Sequence, residues 1–188
     1  TRYGTVTGVQ TCALPILAPH LPENLLPEAL ATAREIGDEK YRARALTGLA
    51  PHLPENLLPE ALAIAREIGD EHYRAEALTG LAPYLPEILP EALATAREIG
   101  DEKYRAEALT GLAPHLPENL LPEALATARE IGGEYSRARL LTGLAPHLPE
   151  NLLPEALAIA REIGDEYSRA RLLTGLAPYL PEILPEAL

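Results

Sequence analysis

The fold is decided by the stretch LLPEALATAREIGDEKYRARALTGLA, residues 25–50. Its first half carries apolar side chains at intervals of three and four, at Leu26, Ala29 or Leu30, Ala33 and Ile36. This spacing puts them on one face of an α-helix and leaves the charged side chains on the other faces. The pattern predicts an amphipathic helix, which we call the A helix.

The flanking residues predict where the A helix begins and ends. Pro27 belongs in the first turn, where a residue without an N–H group loses no hydrogen bond. Asn24 is the expected N-cap just before it, and Gly37 is the expected C-cap.

A second helix follows with almost no loop. Asp38 can cap the segment EKYRARALTGLA, in which the apolar stripe is Tyr41, Ala45 and Leu49, with Leu46 as a further member. Pro51 and Pro54 end this segment, which we call the B helix. Because Gly37 and Asp38 are the whole junction, the A and B helices are expected to form a tight antiparallel hairpin.

Two features of the B helix carry further expectations. Gly48 lies inside it, where Gly costs about 1 kcal/mol relative to Ala. We expect this cost to be offset by close approach of a neighbouring helix, with the Ala-rich A helix as the candidate. Glu39 and Arg42 stand three residues apart, as do their equivalents in every unit, and should form weak ion pairs.

The stretch recurs along the chain. We predict five full repeats, 17–48, 49–80, 81–111, 112–143 and 144–175, and a truncated sixth, 176–188. One hairpin cannot bury both of its apolar faces, so neighbouring hairpins must stack. The predicted fold class is all-α: an α-solenoid of stacked antiparallel helix hairpins with 31–32 residues per repeat.

This repeat pattern resembles that of HEAT-like repeats. Pro comes early in the first helix, Asp stands at the inter-helix turn, and the second helix carries Arg followed by the spacing of ALTGL. The resemblance covers residues 17–188. It implies a scaffold that binds a protein or peptide.

Residues 1–16, TRYGTVTGVQTCALPI, never recur. The part VTGVQTCALPI resembles the conceptual translation of a short-read sequencing adapter, which implies that residues 1–16 are not native. A natural strand with alternating Val and Thr is the alternative. Cys12, the single cysteine, lies in this segment and so says nothing about the redox compartment.

The net charge and the composition exclude some classes of binding partner. The net charge of −12 disfavours nucleic acid and anionic membranes, because both need a basic field on the protein. No apolar run approaches the roughly 20 residues that span a bilayer. We expect neither nucleic acid nor membrane as partner, and no cofactor.

Histidine recurs at one repeat position and raises the question of a metal site. The residues are His20, His52, His115 and His147, with Tyr84 and Tyr179 in the remaining units. Stacked hairpins would space them about 10 Å apart, whereas zinc ligands lie about 2 Å from one ion. We therefore expect a ring at a helix-end packing site, no metal site, and an exposed His72. Neither a phosphate loop nor a nucleophile beside a His is present, and we expect no catalysis.

An internal duplication points to a candidate binding surface. Residues 17–93 align with 112–188 and differ only at positions 38, 40, 41, 45, 72, 73, 76 and 77 of the first copy, all at the cap or in the first half of the B helix. Ala45 and Ala77 correspond to Leu140 and Leu172 in the second copy. Because these positions lie on the apolar stripe, packing accounts for both differences. Two other positions four residues apart share a helix face and predict a stripe of changing charge, which we call the B-face stripe: Lys40, Arg44, His72, Glu76, Lys103, Glu107, Tyr135, Arg139, Tyr167 and Arg171.

Three functional hypotheses remain. A binding array would diversify such a stripe, whereas a structural spacer or oligomerisation element would not, and drift after duplication is the alternative cause of the differences. The third hypothesis is a non-catalytic part of an enzyme. The sequence has no initiator Met and stops inside a repeat, so we expect a fragment of a larger protein. Exposed apolar ends would then promote end-to-end self-association.

Overall fold

A computed structural model describes residues 18–180, and within that range all regular structure is helical. The A helices are α1 (Leu26–Arg34), α3 (Leu58–Arg66), α5 (Leu89–Glu98), α7 (Leu121–Glu130) and α9 (Leu153–Arg161). The B helices are α2 (Glu39–Leu49), α4 (Glu71–Leu81), α6 (Glu102–Leu112), α8 (Glu134–Leu144) and α10 (Glu166–Leu176). The all-α prediction is confirmed. The adapter-like segment, with Cys12, and the last eight residues of the truncated repeat lie outside the described residues.

The chain forms two compact units, residues 1–95 and 96–188, and the division falls within α5. In unit 1, α1 packs on α2 and α3 packs on α4. In unit 2, α7 packs on α8 and α9 packs on α10. The most extensive helix contacts in either unit join consecutive B helices, so each unit is a stack of hairpins held mainly through B helices.

The core of each hairpin consists of Leu, Ala and Ile. The predicted stripe of the first A helix is buried in full, from Leu26 to Ile36. In α2 the buried residues are Ala43, Ala45, Leu46 and Leu49, while Tyr41 is only half-buried. Ala43 replaces Tyr41 in the stripe because small side chains bring neighbouring B helices close together.

The start of the A helix was predicted only in part. Pro27 lies in the first turn, as expected, but Asn24 makes no capping hydrogen bond. A 3₁₀ turn, Glu23–Leu25, precedes the helix, and the N–H of Leu26 donates to the carbonyl oxygen of Glu23. The backbone of this turn accepts the hydrogen bond at the start of the helix, and the Asn24 side chain does not, so the N-cap prediction is wrong.

The end of the A helix is capped by an arginine of the next helix. α1 stops at Arg34, and no described glycine has the positive φ of a left-handed C-cap, so the prediction for Gly37 is wrong. The Arg42 Nε–H group donates to the carbonyl oxygen of Ile36 at 2.8 Å. Arg74 and Arg169 bind the equivalent carbonyl oxygens of Ile68 and Ile163 at 2.9 and 2.8 Å.

The predicted aspartate caps are confirmed. Asp38 accepts a hydrogen bond from the N–H of Tyr41, and Asp70 accepts two, from the N–H groups of His72 and Tyr73. Asp101 and Asp165 cap their helices in the same way. Gly133 holds this position in α8, which therefore has no side-chain cap.

The glutamate that follows the cap connects one repeat to the next. Glu39 accepts hydrogen bonds from the N–H groups of Gly69 and Asp70, both at 2.9 Å. Glu102 binds the N–H groups of Gly132 and Gly133, and Glu134 binds those of Gly164 and Asp165. We call this contact the glutamate latch. It occupies carboxylates that were expected to pair with arginine three residues on. Within residues 18–180, Glu102 also keeps such a contact, 3.7 Å from Arg105.

The latch lowers the pKa of its carboxyl groups. Hydrogen bonds from Gly69 and Asp70 hold the pKa of Glu39 below its ordinary value of 4.5. Hydrogen bonds from Gly132 and Gly133 do the same to the pKa of Glu102. The ionised form is therefore favoured in the folded chain.

Exposed ion pairs connect successive A helices. Arg66 binds Glu91 at 2.6 Å in unit 1, and Arg129 binds Glu162 at 3.1 Å in unit 2. Arg34 pairs with Glu67 and Arg97 with Glu123. Such exposed pairs contribute at most about 1 kcal/mol each.

The glycines inside α4, α8 and α10 do mark a close approach, but to another B helix. A Cβ atom on Gly80 would lie 2.6 Å from the Oγ1 atom of Thr47. On Gly143 it would lie 2.6 Å from the Cγ2 atom of Thr110, and on Gly175 it would lie 3.2 Å from that of Thr142. The partner is the preceding B helix and not the A helix, so that part of the prediction is wrong.

We predict that Gly80→Ala and Gly143→Ala destabilise the fold by roughly 1 to 2 kcal/mol, because overpacking outweighs the gain in helix propensity. Urea unfolding of each variant measures the change. Adding Thr47→Ala to Gly80→Ala should recover stability by making room for the Cβ atom. A stabilised Gly80→Ala single variant would contradict the close contact.

We predict that Glu39→Gln and Glu102→Gln lower the urea midpoint at pH 7, because the amide cannot supply two charged acceptor oxygens to the latch. A carboxyl group with a depressed pKa stabilises the fold above its ordinary pKa, and this stabilisation is lost as the pH falls through the folded value. The difference from the wild type should therefore shrink below about pH 4.5. Glu35→Gln, an exposed site outside the latch, is the control and should change little.

Candidate functional site

The B-face stripe occupies two positions on each B helix. The first position is the second residue of the helix: Lys40, His72, Lys103, Tyr135 and Tyr167. The second position, one turn later, holds Arg44, Glu76, Glu107, Arg139 and Arg171. Residues four apart lie on one helix face, so the two positions of each helix are neighbours.

None of these ten side chains is buried. Tyr135 and Tyr167 are 57% and 70% exposed, which is unusual for large rings. The side chains that hold the stack together, such as Leu46 and Leu141, are fully buried on other faces of the same helices. The stripe can therefore change without disturbing the core.

In unit 1 one stripe residue, His72, contacts a half-buried tyrosine. Arg44 of α2 is exposed, and Glu76 of α4 is half-buried. The ring of His72 lies 5.0 Å from that of Tyr73, centroid to centroid. His72 is consequently half-buried, so the expectation of an exposed side chain is wrong.

In unit 2 the stripe joins neighbouring repeats. Arg139 of α8 pairs with Glu107 of α6, with 3.2 Å between Nη2 and Oε1. The ammonium group of Lys103 lies 5.5 Å from the ring centroid of Tyr104, within cation–π range. Second-position residues of consecutive B helices thus come within contact distance in this unit.

A small depression lies between α8 and α10, lined by Tyr135, Ala138, Arg139, Ser168 and Arg171. We call it the Tyr–Arg notch. Ala138 and Ser168 are buried, at 4% and 3% exposure, and form its floor. Tyr135, Arg139 and Arg171 are exposed and form its rim. Three stripe residues therefore meet at one place.

The floor of the notch has a serine where the first three repeats have a tyrosine, because in the last two repeats the tyrosine stands one residue earlier. The position of Ser168 holds Tyr41, Tyr73 and Tyr104 in the first three repeats, and Ser in the last two. The Ser168 hydroxyl and N–H groups bind Asp165 and hold the pKa of that carboxyl group below its ordinary value. The sequence analysis did not predict the notch, because spacing and residue type do not show that Ala138 and Ser168 lie buried side by side.

The histidine positions do not form a site. His20, His52, His115 and His147 lie exposed at the ends of short turns, and Tyr84 and Tyr179 are exposed as well. The expected packing role for these rings is therefore wrong. Between residues 18 and 180, no group of three or more His, Cys, Asp or Glu side chains is placed to hold a metal ion. In the same range no helix has the length and apolar character to cross a membrane.

The chain matches no family model, no curated protein and no solved structure.

We predict that Tyr167→Ala and Arg44→Ala change the free energy of unfolding by no more than about 0.5 kcal/mol, because both side chains are exposed. Leu46→Ala, in the core beneath the same face, should cost about 2 to 5 kcal/mol. Thermal unfolding followed by circular dichroism measures all three. A large loss from either surface variant would assign the stripe a structural role.

Proposed function

We propose that the chain is a protein- or peptide-binding repeat scaffold of the HEAT-like kind, which binds through the B-face stripe. One observation carries this proposal: the two copies of the duplicated block have identical A helices, while their B helices differ, and three of the differing residues, Tyr135, Tyr167 and Arg171, are exposed in the second copy. Drift alone would alter exposed residues on both helices.

The residue types in the stripe support the same function. Tyr and Arg are enriched among the residues that dominate binding energy at protein interfaces. Tyr135, Tyr167, Arg139 and Arg171 all lie exposed on B helices of unit 2. Rigid helices hold them in place, which limits the entropy lost on binding.

A spacer or oligomerisation element is the alternative, in which the stripe has no partner. End-to-end association of such a fragment belongs to this alternative. The adapter-like residues 1–16 are proposed to be non-native in either case, and a long-read sequence of the source locus that lacks them would support that origin.

We predict that Glu76→Arg with Glu107→Arg changes the set of captured proteins and leaves the helical circular dichroism signal intact. The matched control is Glu35→Arg with Glu130→Arg, which makes the same charge change at exposed sites on the A-helix side. Affinity capture from the source cells, read by mass spectrometry, compares both with the wild type. Capture of the same proteins by all three would favour the spacer.

A further inference from the structure

We propose that the Tyr–Arg notch binds one carboxylate of a partner peptide, with the arginines as hydrogen-bond donors and the Tyr135 ring as an apolar wall. This inference rests on the proposed function and deepens it by naming the chemistry of the bound group. The carboxylate can belong to an Asp or Glu side chain or to a peptide C-terminus.

The donors at the rim have spare capacity. An arginine side chain has five N–H donors. Arg139 contacts Glu107 through Nη2 alone at 3.2 Å, and Arg171 makes no ion pair within residues 18–180. Guanidinium groups match carboxylates in a planar, two-point geometry, which favours this ligand over a neutral amide.

The floor does not compete for these donors. The N–H group of Ser168 donates to the Oδ2 atom of Asp165 at 2.7 Å, and Ala138 has no polar side-chain atom. The floor therefore carries no charged side chain and leaves recognition to the rim. An exposed tyrosine ring beside two arginines can cover the aliphatic stem of a bound side chain.

The charge of the whole chain disfavours a polyanionic ligand. A net charge of −12 repels polyanions such as nucleic acids and acidic tracts. A neutral or basic peptide with one carboxylate avoids this repulsion and still satisfies the notch. The partner is therefore expected to be basic overall with one acidic anchor.

Unit 1 holds different residues at the equivalent positions. Tyr73 stands where unit 2 has Ser168, and Glu76 stands where it has Arg171. The first exchange replaces a small floor residue with a ring, and the second replaces a donor with an acid. Both exchanges oppose carboxylate binding, so they define the substitutions that should weaken it.

The test uses nuclear magnetic resonance of the full chain, read at the arginine Nε–H signals. The probe is the capped peptide acetyl-Gly-Lys-Glu-Lys-Gly-amide, and the control probe carries Gln in place of Glu. We expect saturable shifts of the Arg139 and Arg171 signals with the Glu peptide only. An uncapped Gly-Lys-Gly-Lys-Gly peptide that shifts the same signals would identify a chain terminus as the source of the carboxylate.

Two variants and a control decide the outcome. Arg171→Glu should weaken probe binding by roughly tenfold or more, the loss expected when a charged hydrogen bond is removed. Ser168→Tyr should weaken it without a change of charge. Arg34→Glu makes the same charge change on an A helix of unit 1 and should leave binding unchanged. Circular dichroism verifies that each variant is folded.

Equal shifts from the Glu and Gln peptides would overturn the assignment, as would full affinity in Arg171→Glu. Failure here is separable from failure of the proposed function. If the probe does not bind but partner capture still depends on Glu76 and Glu107, the carboxylate site is rejected and the scaffold function is retained. If the probe binds but no captured protein depends on the B-face stripe, the carboxylate site is retained and the scaffold function is rejected.

Discussion

The stacking of consecutive B helices at glycine is the contact on which each unit depends. Gly80 and Gly143 lie where a Cβ atom would collide with a threonine of the preceding B helix. Omitting that atom lets the helices approach and bury their Ala and Leu side chains. The glycine costs helix propensity in every repeat, and the B-helix contacts that it permits offset the loss.

The polar contacts between repeats follow from that approach. Once the B helices are close, the carboxylate of Glu39 reaches the N–H groups at the next inter-helix turn. These N–H groups lie beyond the end of an A helix and before the start of a B helix. The latch, the aspartate cap and the Arg42 contact together supply hydrogen-bond partners at a junction that has almost no loop.

The close stacking also determines which residues are available for binding. The faces that join B helices are committed to small and apolar side chains. The first two turns of each B helix keep one exposed face, and there the repeats differ in charge and size. The same one-residue shift of tyrosine exposes Tyr135 and leaves Ser168 on the floor of a depression. A change at the second and third residues of the B helix thus alters the surface and leaves the helix packing in place.

The sequence by itself determined the helices, their order, the repeat and the aspartate caps. The helices and the caps depend on residues within a few positions of each other, and the repeat is visible as a period of 31–32 residues, so spacing and residue type suffice to predict them. Only the tertiary structure decided which helix meets the glycine, where Glu39 finds its donors, and that Ser168 with Ala138 forms a floor. These contacts join residues about 30 positions apart in different repeats, as the pairing of Glu39 with Gly69 illustrates. Helical periodicity shows which face of a helix is apolar, but it does not show which neighbour covers that face.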